Sequence, residues 1–293
     1  LNRYNVAPLA TDGERVYAGR KGDVIAVNAA SGEIVHKLAT KYAPVRVALA
    51  GGVLVSAGWE SSESKGLWDA WMTKTAIGAV QAFDTKTGQP KLSHDWAAEH
   101  VLISDDCVFL LVQAGHPAQS QDVVAVELNT GKERWRVKHS AIGPDCDLQL
   151  NVAGLGVLVV GRTKAKVISV LNAADGKVLW EVASGEKPWV HLIDGLLWHR
   201  NKKHEPKTGK VASTFRSSGG PTMCTPSIFV GDYVADGRSC TYFDLATPQD
   251  PKAQDRALKI SYSGARGGCI VGAVPANGMF YTAQNWCRCA PAQ

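Results

Sequence analysis

Seven side chains able to do acid–base, stacking or ion-binding chemistry stand at the heads of short apolar stretches: Arg46, His100, Asp145, Asp147, Trp189, His191 and Arg266. Arg, His and Asp converging on one point would bind an anion or a metal, and burial there would shift their proton affinities. His100 and His191 are the best candidate metal donors, since neutral imidazole ligates well, and Asp145 or Asp147 would complete such a set. Arg46, His100, His191 and Arg266 would also suit removal of a proton beside a uronate carboxylate. The opposing expectation is that each pairs with a neighbouring backbone group or with another of the set. His36, His94, His199 and His204 fall near outer strands or turns and are expected at the surface.

No local motif decides between these uses. H-E-x-x-H, G-x-S-x-G, C-x-x-C-H and EF-hand loops are all missing from the sequence. No cofactor is therefore expected, and a divalent metal would have to be assembled from distant parts of the chain.

Five of the seven cysteines, Cys224, Cys240, Cys269, Cys287 and Cys289, fall in the last 70 residues. That clustering favours an oxidised, exported protein with local disulfides in a periplasmic or extracellular setting. Cys287 and Cys289 would share one face of a strand, so either could bond Cys269. A soft metal held by Cys-x-Cys is the lesser alternative, and the odd count leaves at least one thiol unpaired. The chain begins at Leu1 with neither Met nor an apolar signal region, which reads as a processed product or a piece of something longer.

The net charge of +5 is spread thinly, which argues against nucleic acid as a partner, because phosphate binding needs a concentrated basic face. No apolar run approaches the roughly 18 residues of a membrane span. The remaining partners are a protein or a cell-surface glycan.

These residues must be positioned by elements that repeat. "GDVIAVNAASGEIVHKL" from Gly22, "GAVQAFDTKTGQPKL" from Gly78, "DVVAVELNTGKERW" from Asp122 and "KVISVLNAADGKVLW" from Lys166 share one pattern, with a degenerate fifth copy from His199. The turn glycines Gly32, Gly88, Gly131, Gly176 and Gly209 are separated by 56, 43, 45 and 33 residues, near the 40–50 of a four-stranded propeller blade. The β-branched, period-two runs predict strands, and the glycine supplies the positive φ that a tight hairpin needs. Between these hairpins lie seven inner ones, beginning near Pro8, Val47, His100, Leu148, Val190, Ser227 and Ile270. The expectation is an all-β, single-domain β-propeller over residues 1–293. It has seven four-stranded antiparallel blades rather than eight, with the ring closed by an N-terminal strand at Leu1–Asn5. An insertion at 59–76 carries Trp59, Trp68, Trp71 and Met72.

The pattern G-x-V-x-A-x-[DN]-x-x-[TS]-G-[KE]-x-x-W, carried by these copies, resembles the repeat of pyrroloquinoline-quinone-type (PQQ-like) β-propellers. The resemblance is strong over residues 5–215 and weak over 216–293. It implies that Trp135 and Trp180, with Phe215 in a weaker copy, dock between adjacent blades. The family includes eight-bladed quinone dehydrogenases, an outer-membrane assembly lipoprotein and many exported propellers. This chain departs from the quinoenzymes in having no adjacent Cys-Cys pair and in being much shorter. The expected function is a non-catalytic, exported binding or scaffolding propeller, one part of a larger complex. The alternative is an enzyme at the central funnel, a polysaccharide lyase or a PQQ-related oxidoreductase.

Overall fold

The computed structural model describes residues 8–60, 77–114, 120–138, 141, 148–185, 189–214, 228–230, 233–236, 241–244, 259–261, 273–276 and 279–282. Within each sheet the strands follow one another in chain order, each pairing antiparallel with the next. The first sheet is β1 (Leu9–Thr11), β2 (Arg15–Arg20), β3 (Asp23–Asn28) and β4 (Ile34–Ala39). The second is β5 (Pro44–Ala50), β6 (Val53–Trp59), β7 (Gly78–Asp84) and β8 (Pro90–His94). The third is β9 (Ala98–Ser104), β10 (Cys107–Ala114), β11 (Ser120–Glu127) and β12 (Glu133–Val137). The fourth is β13 (Leu148–Gly154), β14 (Val157–Arg162), β15 (Val167–Asn172) and β16 (Val178–Ala183). The fifth is β17 (His191–Ile193), β18 (Leu196–His199), β19 (Lys202–His204) and β20 (Val211–Thr214). The sixth is β21 (Ile228–Val230), β22 (Tyr233–Asp236), β23 (Thr241–Asp244) and β24 (Lys259–Ser261), and β25 (Ala273–Ala276) with β26 (Met279–Thr282) forms a two-stranded pair. The chain divides into two compact units, Leu1–Ala183 and Ser184–Gln293.

In the first unit the leading strands neighbour one another, β1 beside β5, β5 beside β9 and β9 beside β13. The sheets stack face to face, so both faces of an inner sheet must be apolar. β10 shows this directly. Val108, Leu110 and Val112 enter the core shared with the second sheet, while Cys107, Phe109 and Leu111 enter the core shared with the fourth. β11 divides likewise, Val124 and Val126 to one side and Val123 and Ala125 to the other. The period of two that marks these runs as strands thus also explains why they carry no polar face.

The outer turns are built from the repeat itself. Gly32, Gly88, Gly131, Gly176 and Gly209 have φ between 71° and 76°. Each glycine N–H donates to the carbonyl of the residue four before it, Asn28, Asp84, Glu127, Asn172 and Glu205, at 2.8–2.9 Å. The side chains of Asn28, Asp84 and Asn172 also accept from backbone N–H groups two residues on, which is why Asn or Asp suits that position. All five copies shift register at this end of the ladder, between Ala26 and Val27, Ala82 and Phe83, Ala125 and Val126, Val170 and Leu171, and Lys203 and His204.

Three of these glycines also seat the preceding sheet. A Cβ on Gly88 would lie 2.9 Å from His36 Nδ1, on Gly131 3.0 Å from Leu92 Cβ, and on Gly176 2.8 Å from Trp135 Cε3. His36, Leu92 and Trp135 each stand four residues past their own turn glycine. The docking expected of Trp135 is therefore present, and it is shared by two positions that are not tryptophan. Phe215 lies outside the described residues, and the position matching Trp135 in the fifth sheet is Ser213, not Phe215.

The insertion leaves from the end of β6. Trp59 is buried and pairs with Gly78, and Glu60 N–H donates to Ile77 O at 3.1 Å. Residues 61–76, with Trp68, Trp71 and Met72, lie outside the described residues, as does the expected closing strand Leu1–Asn5. Gly78 sets the spacing here, because its Cβ would meet Ala97 Cα at 2.6 Å and Gly58 O at 2.7 Å. Both are backbone atoms, so Gly78→Ala is expected to cost about 1–3 kcal/mol by overpacking; a urea midpoint unchanged from the parent protein would contradict this packing.

Candidate functional site

Arg46 and His100 occupy matching places in adjacent sheets, each five residues before the first residue of its inner turn, Gly51 and Asp105. They do not precede their strands, as the sequence suggested, but form the third residue of β5 and of β9. The reason is a bulge. The ladder skips Val45 between Pro44 and Arg46, and skips Glu99 between Ala98 and His100. One extra residue lets pairing continue past the polar side chains and re-aims the residues after it.

Arg46 is half-buried, and its Nη1 donates to Val45 O at 2.9 Å. Among the described residues no carboxylate lies within ion-pair distance of it. Crowding by protein lowers its proton affinity below the usual guanidinium range, and the charge of Glu99 opposes that effect. His100 is pushed down to about 3, first by loss of solvent and then by the positive charge of Arg46. It is a neutral imidazole at any physiological pH. The coupling places the two side chains within electrostatic reach of each other.

Beside them lies a group that sequence reading missed. Glu99 is 4 % exposed and accepts a hydrogen bond from the amide of Gln121, itself 5 % exposed. Gln121 Oε1 in turn accepts from Leu148 N–H at 3.0 Å, so the chain of bonds runs from the third sheet into the fourth. Asp122, 3 % exposed, pairs with Arg136 at 3.2 Å. Arg136 also lies over the Trp96 ring, 5.2 Å from its centroid, and Trp96 stacks on His94 at 4.1 Å. The signal was present, because a carboxylate inside the apolar run of an inner strand must find a partner. Glu99→Ala would strand the Gln121 amide and is expected to cost about 1–3 kcal/mol; Glu99→Gln should retain part of the loss, and equal stability for all three proteins would show that the network contributes nothing.

The other candidates separate. His191 is the first residue of β17, in the second unit, and stands two places further along its strand than Arg46 and His100 in theirs. Burial pushes it down to about 4. Trp189 precedes that strand and is half-buried. Asp145, Asp147 and Arg266 lie outside the described residues, as do Cys224, Cys240, Cys269, Cys287 and Cys289. Cys107 is buried and free, its thiol raised to about 11 by burial.

Of the four histidines expected at the surface, His36 and His94 are half-buried and His199 and His204 are buried. His199 is 5 % exposed and His204 4 %. His199 Nε2 faces Ser184 O at 3.4 Å, His204 Nδ1 faces Gly209 O at 3.0 Å, and His94 Nε2 faces Gly131 O at 2.8 Å. His36 fills the seat over Gly88. His36 and His94 are partly covered by the turn of the following sheet, at Gly88 and Gly131, whereas His204 meets the turn of its own sheet.

Calcium requires several oxygen donors at once. Among the described residues no group of three His, Cys, Asp or Glu side chains is placed to hold a metal ion, and the Glu99 carboxylate is already engaged by Gln121. The described residues do not fit a quinone with its calcium ion. Among the described residues no helix is long and apolar enough to cross a membrane.

Residues 119–192 match the family profile described as outer membrane protein assembly factor BamB. No curated protein sequence matches the chain. Among solved structures, the β-propeller domain of Swd1 (Cps50) from Myceliophteria thermophila is similar with a TM-score of 0.56, at 11 % identity, over 91 % of this chain and 89 % of that one. BamB from Moraxella catarrhalis gives 0.45 at 18 % identity over 70 % of this chain and 55 % of that one. A quinohemoprotein alcohol dehydrogenase from Pseudomonas putida HK5 gives 0.46 at 17 % over 73 % and 43 %. The chain thus spans about half the length of these last two. Stacked four-stranded sheets, leading strands side by side in the first unit and one glycine turn recurring in each copy give the described residues the architecture of a β-propeller, and residues 119–192 match a PQQ-like repeat profile.

Proposed function

We propose that this propeller is a non-catalytic binding or scaffolding module of the periplasm or cell exterior that engages a protein partner as part of a larger complex. The observation that carries the reading is the match of residues 119–192 to the assembly-factor profile. Within that stretch the buried polar side chains hold neighbouring sheets together, Gln121 with Glu99 and Asp122 with Arg136. The finer architecture belongs to the same proposal: seven blades, counted from the seven inner hairpins of the sequence, in one domain closed by Leu1–Asn5.

Native and denaturing mass spectrometry of protein purified from its own source tests this reading. The expected native spectrum shows a second polypeptide in fixed stoichiometry, and the denatured chain is short by about two daltons for each disulfide formed. A chain that carries a bound quinone in the native spectrum and oxidises an alcohol with an artificial electron acceptor would overturn it.

A further inference from the structure

We propose that Arg46 and His100 form a carboxylate-binding site at the inner edge of the second and third sheets. The placement is built into the fold. Both side chains sit at the third position of a leading strand, β5 and β9 lie side by side, and each is preceded by the extra residue of a bulge, Val45 or Glu99. Bulges of this kind aim side chains where regular pleating would not.

The chemistry of the pair is incomplete without an anion. A guanidinium carries five N–H donors in a planar fork, and Arg46 spends one, on Val45 O. The described residues offer it no ion pair, although leaving water is costly for a cation that lacks a partner. His100 makes no hydrogen bond to any described residue, and its ring nitrogens are not sealed from solvent. As a neutral imidazole it brings one further N–H donor. An Arg fork with one additional donor matches the two oxygens of a carboxylate. Glu99, whose charge is felt by Arg46, disfavours a dianion such as phosphate at the same place. The site does not depend on the scaffolding role: a free organic acid or an acidic side chain of a bound peptide would present the same group.

Titration of the full chain, labelled with ¹⁵N at histidine, tests the site with two probes, acetate and a blocked Gly-Asp-Gly-Gly peptide. The His100 ring signals are assigned by their loss in His100→Gln. Both probes are expected to shift those signals saturably, and Arg46→Gln is expected to abolish the shift. Arg46→Lys, which keeps the charge and loses the fork, is expected to weaken binding by about tenfold, and it serves if Arg46→Gln does not fold. Tighter binding of the peptide by about tenfold or more would assign the site to a partner's acidic side chain, and equal binding would assign it to a free acid. A shift that fails to saturate with either probe, or saturates equally in Arg46→Lys, would overturn the proposal. Failure here would leave the mass-spectrometric test of the scaffolding role untouched.

Discussion

Trp135→Ala is expected to destabilise the first unit by about 2–3 kcal/mol, toward the low end of large aromatic truncations because the ring is half-buried against the core. The third residue of β12 does three things at once. Its ring lies against the turn of the fourth sheet, with Cε3 2.8 Å from where a Gly176 Cβ would be. It also packs with Phe109, 5.9 Å between centroids. Its Nε1 donates to Ala173 O at 2.9 Å. Truncation opens a cavity between two sheets and deprives that carbonyl of its donor. Trp135→Phe keeps most of the packing and should cost about 1 kcal/mol, the worth of the hydrogen bond. Gly176→Ala carries two penalties, a side chain at φ 73° and a clash with Trp135 and Val137. Combining it with Trp135→Ala relieves part of the clash and none of the dihedral cost, so the double variant should be less destabilised than the sum of the two. Urea unfolding with an unchanged m value is the measurement. A Trp135→Ala midpoint equal to the parent's would mean that the sheets are not clasped this way.

The second large effect is acid instability arising from histidines rather than carboxylates. His100 titrates at about 3 in the fold, and His191 and His199 at about 4, against 6.5 in an unfolded chain. Burial is the first cause in all three. The folded values are depressed, so the unfolded chain binds these protons first. Stability is complete above pH 6.5 and is lost as pH falls toward the folded values. Each histidine removes about 1.4 kcal/mol per pH unit within that window, or about 2 kcal/mol by pH 5. The ion-paired Asp23 and Asp106, lowered from 3.8 by Arg20 and Arg134, begin to lose their contribution only in more acid solution, which separates the two causes. Unfolding midpoints at pH 7, 6 and 5 in a carboxylate-free buffer should fall steadily, and His100→Gln or His199→Gln should flatten the slope by one histidine's share. A midpoint constant from pH 7 to 5 would show that the fold does not hold these rings neutral.

Much of this architecture was legible in the sequence because one physical requirement writes it repeatedly. A sheet covered on both faces needs apolar residues at every position, and its outer hairpin needs a residue with φ above zero, so "VVAVELNTGK" announces both. Trp135 was legible for the same reason, since a large ring needs a deep seat. His36 and Leu92 were not, although they occupy the same seats over Gly88 and Gly131. The seat constrains shape and position more than residue type, and only the register four residues past the glycine reveals them. Phe215 lies outside the described residues, and the register places Ser213 opposite Lys203 at the corresponding position of the fifth sheet.

The candidate site was half legible. Arg46 and His100 stood out as polar residues against apolar strands, and the fold brings them to one edge. Their places within the strands depend on the bulges at Val45 and Glu99, which leave no periodic mark. The carboxylate of Glu99 inside an apolar run signalled a partner, but only the third dimension shows that the partner is Gln121, two strands away across β10. His199 and His204 looked like turn residues on a basic stretch, yet the carbonyls of Ser184 and Gly209 are what they meet. Asp145, Asp147 and Arg266 stay expectations of the sequence alone.

The central claim is that a PQQ-like propeller here serves binding and does not carry out quinone chemistry. The most direct measurement is a titration of the purified chain with pyrroloquinoline quinone and Ca²⁺, followed by tryptophan fluorescence and by dye reduction in the presence of simple alcohols. The expected result is no saturable quenching and no dye reduction above the rate of free quinone. Stoichiometric, calcium-dependent uptake accompanied by turnover would contradict it.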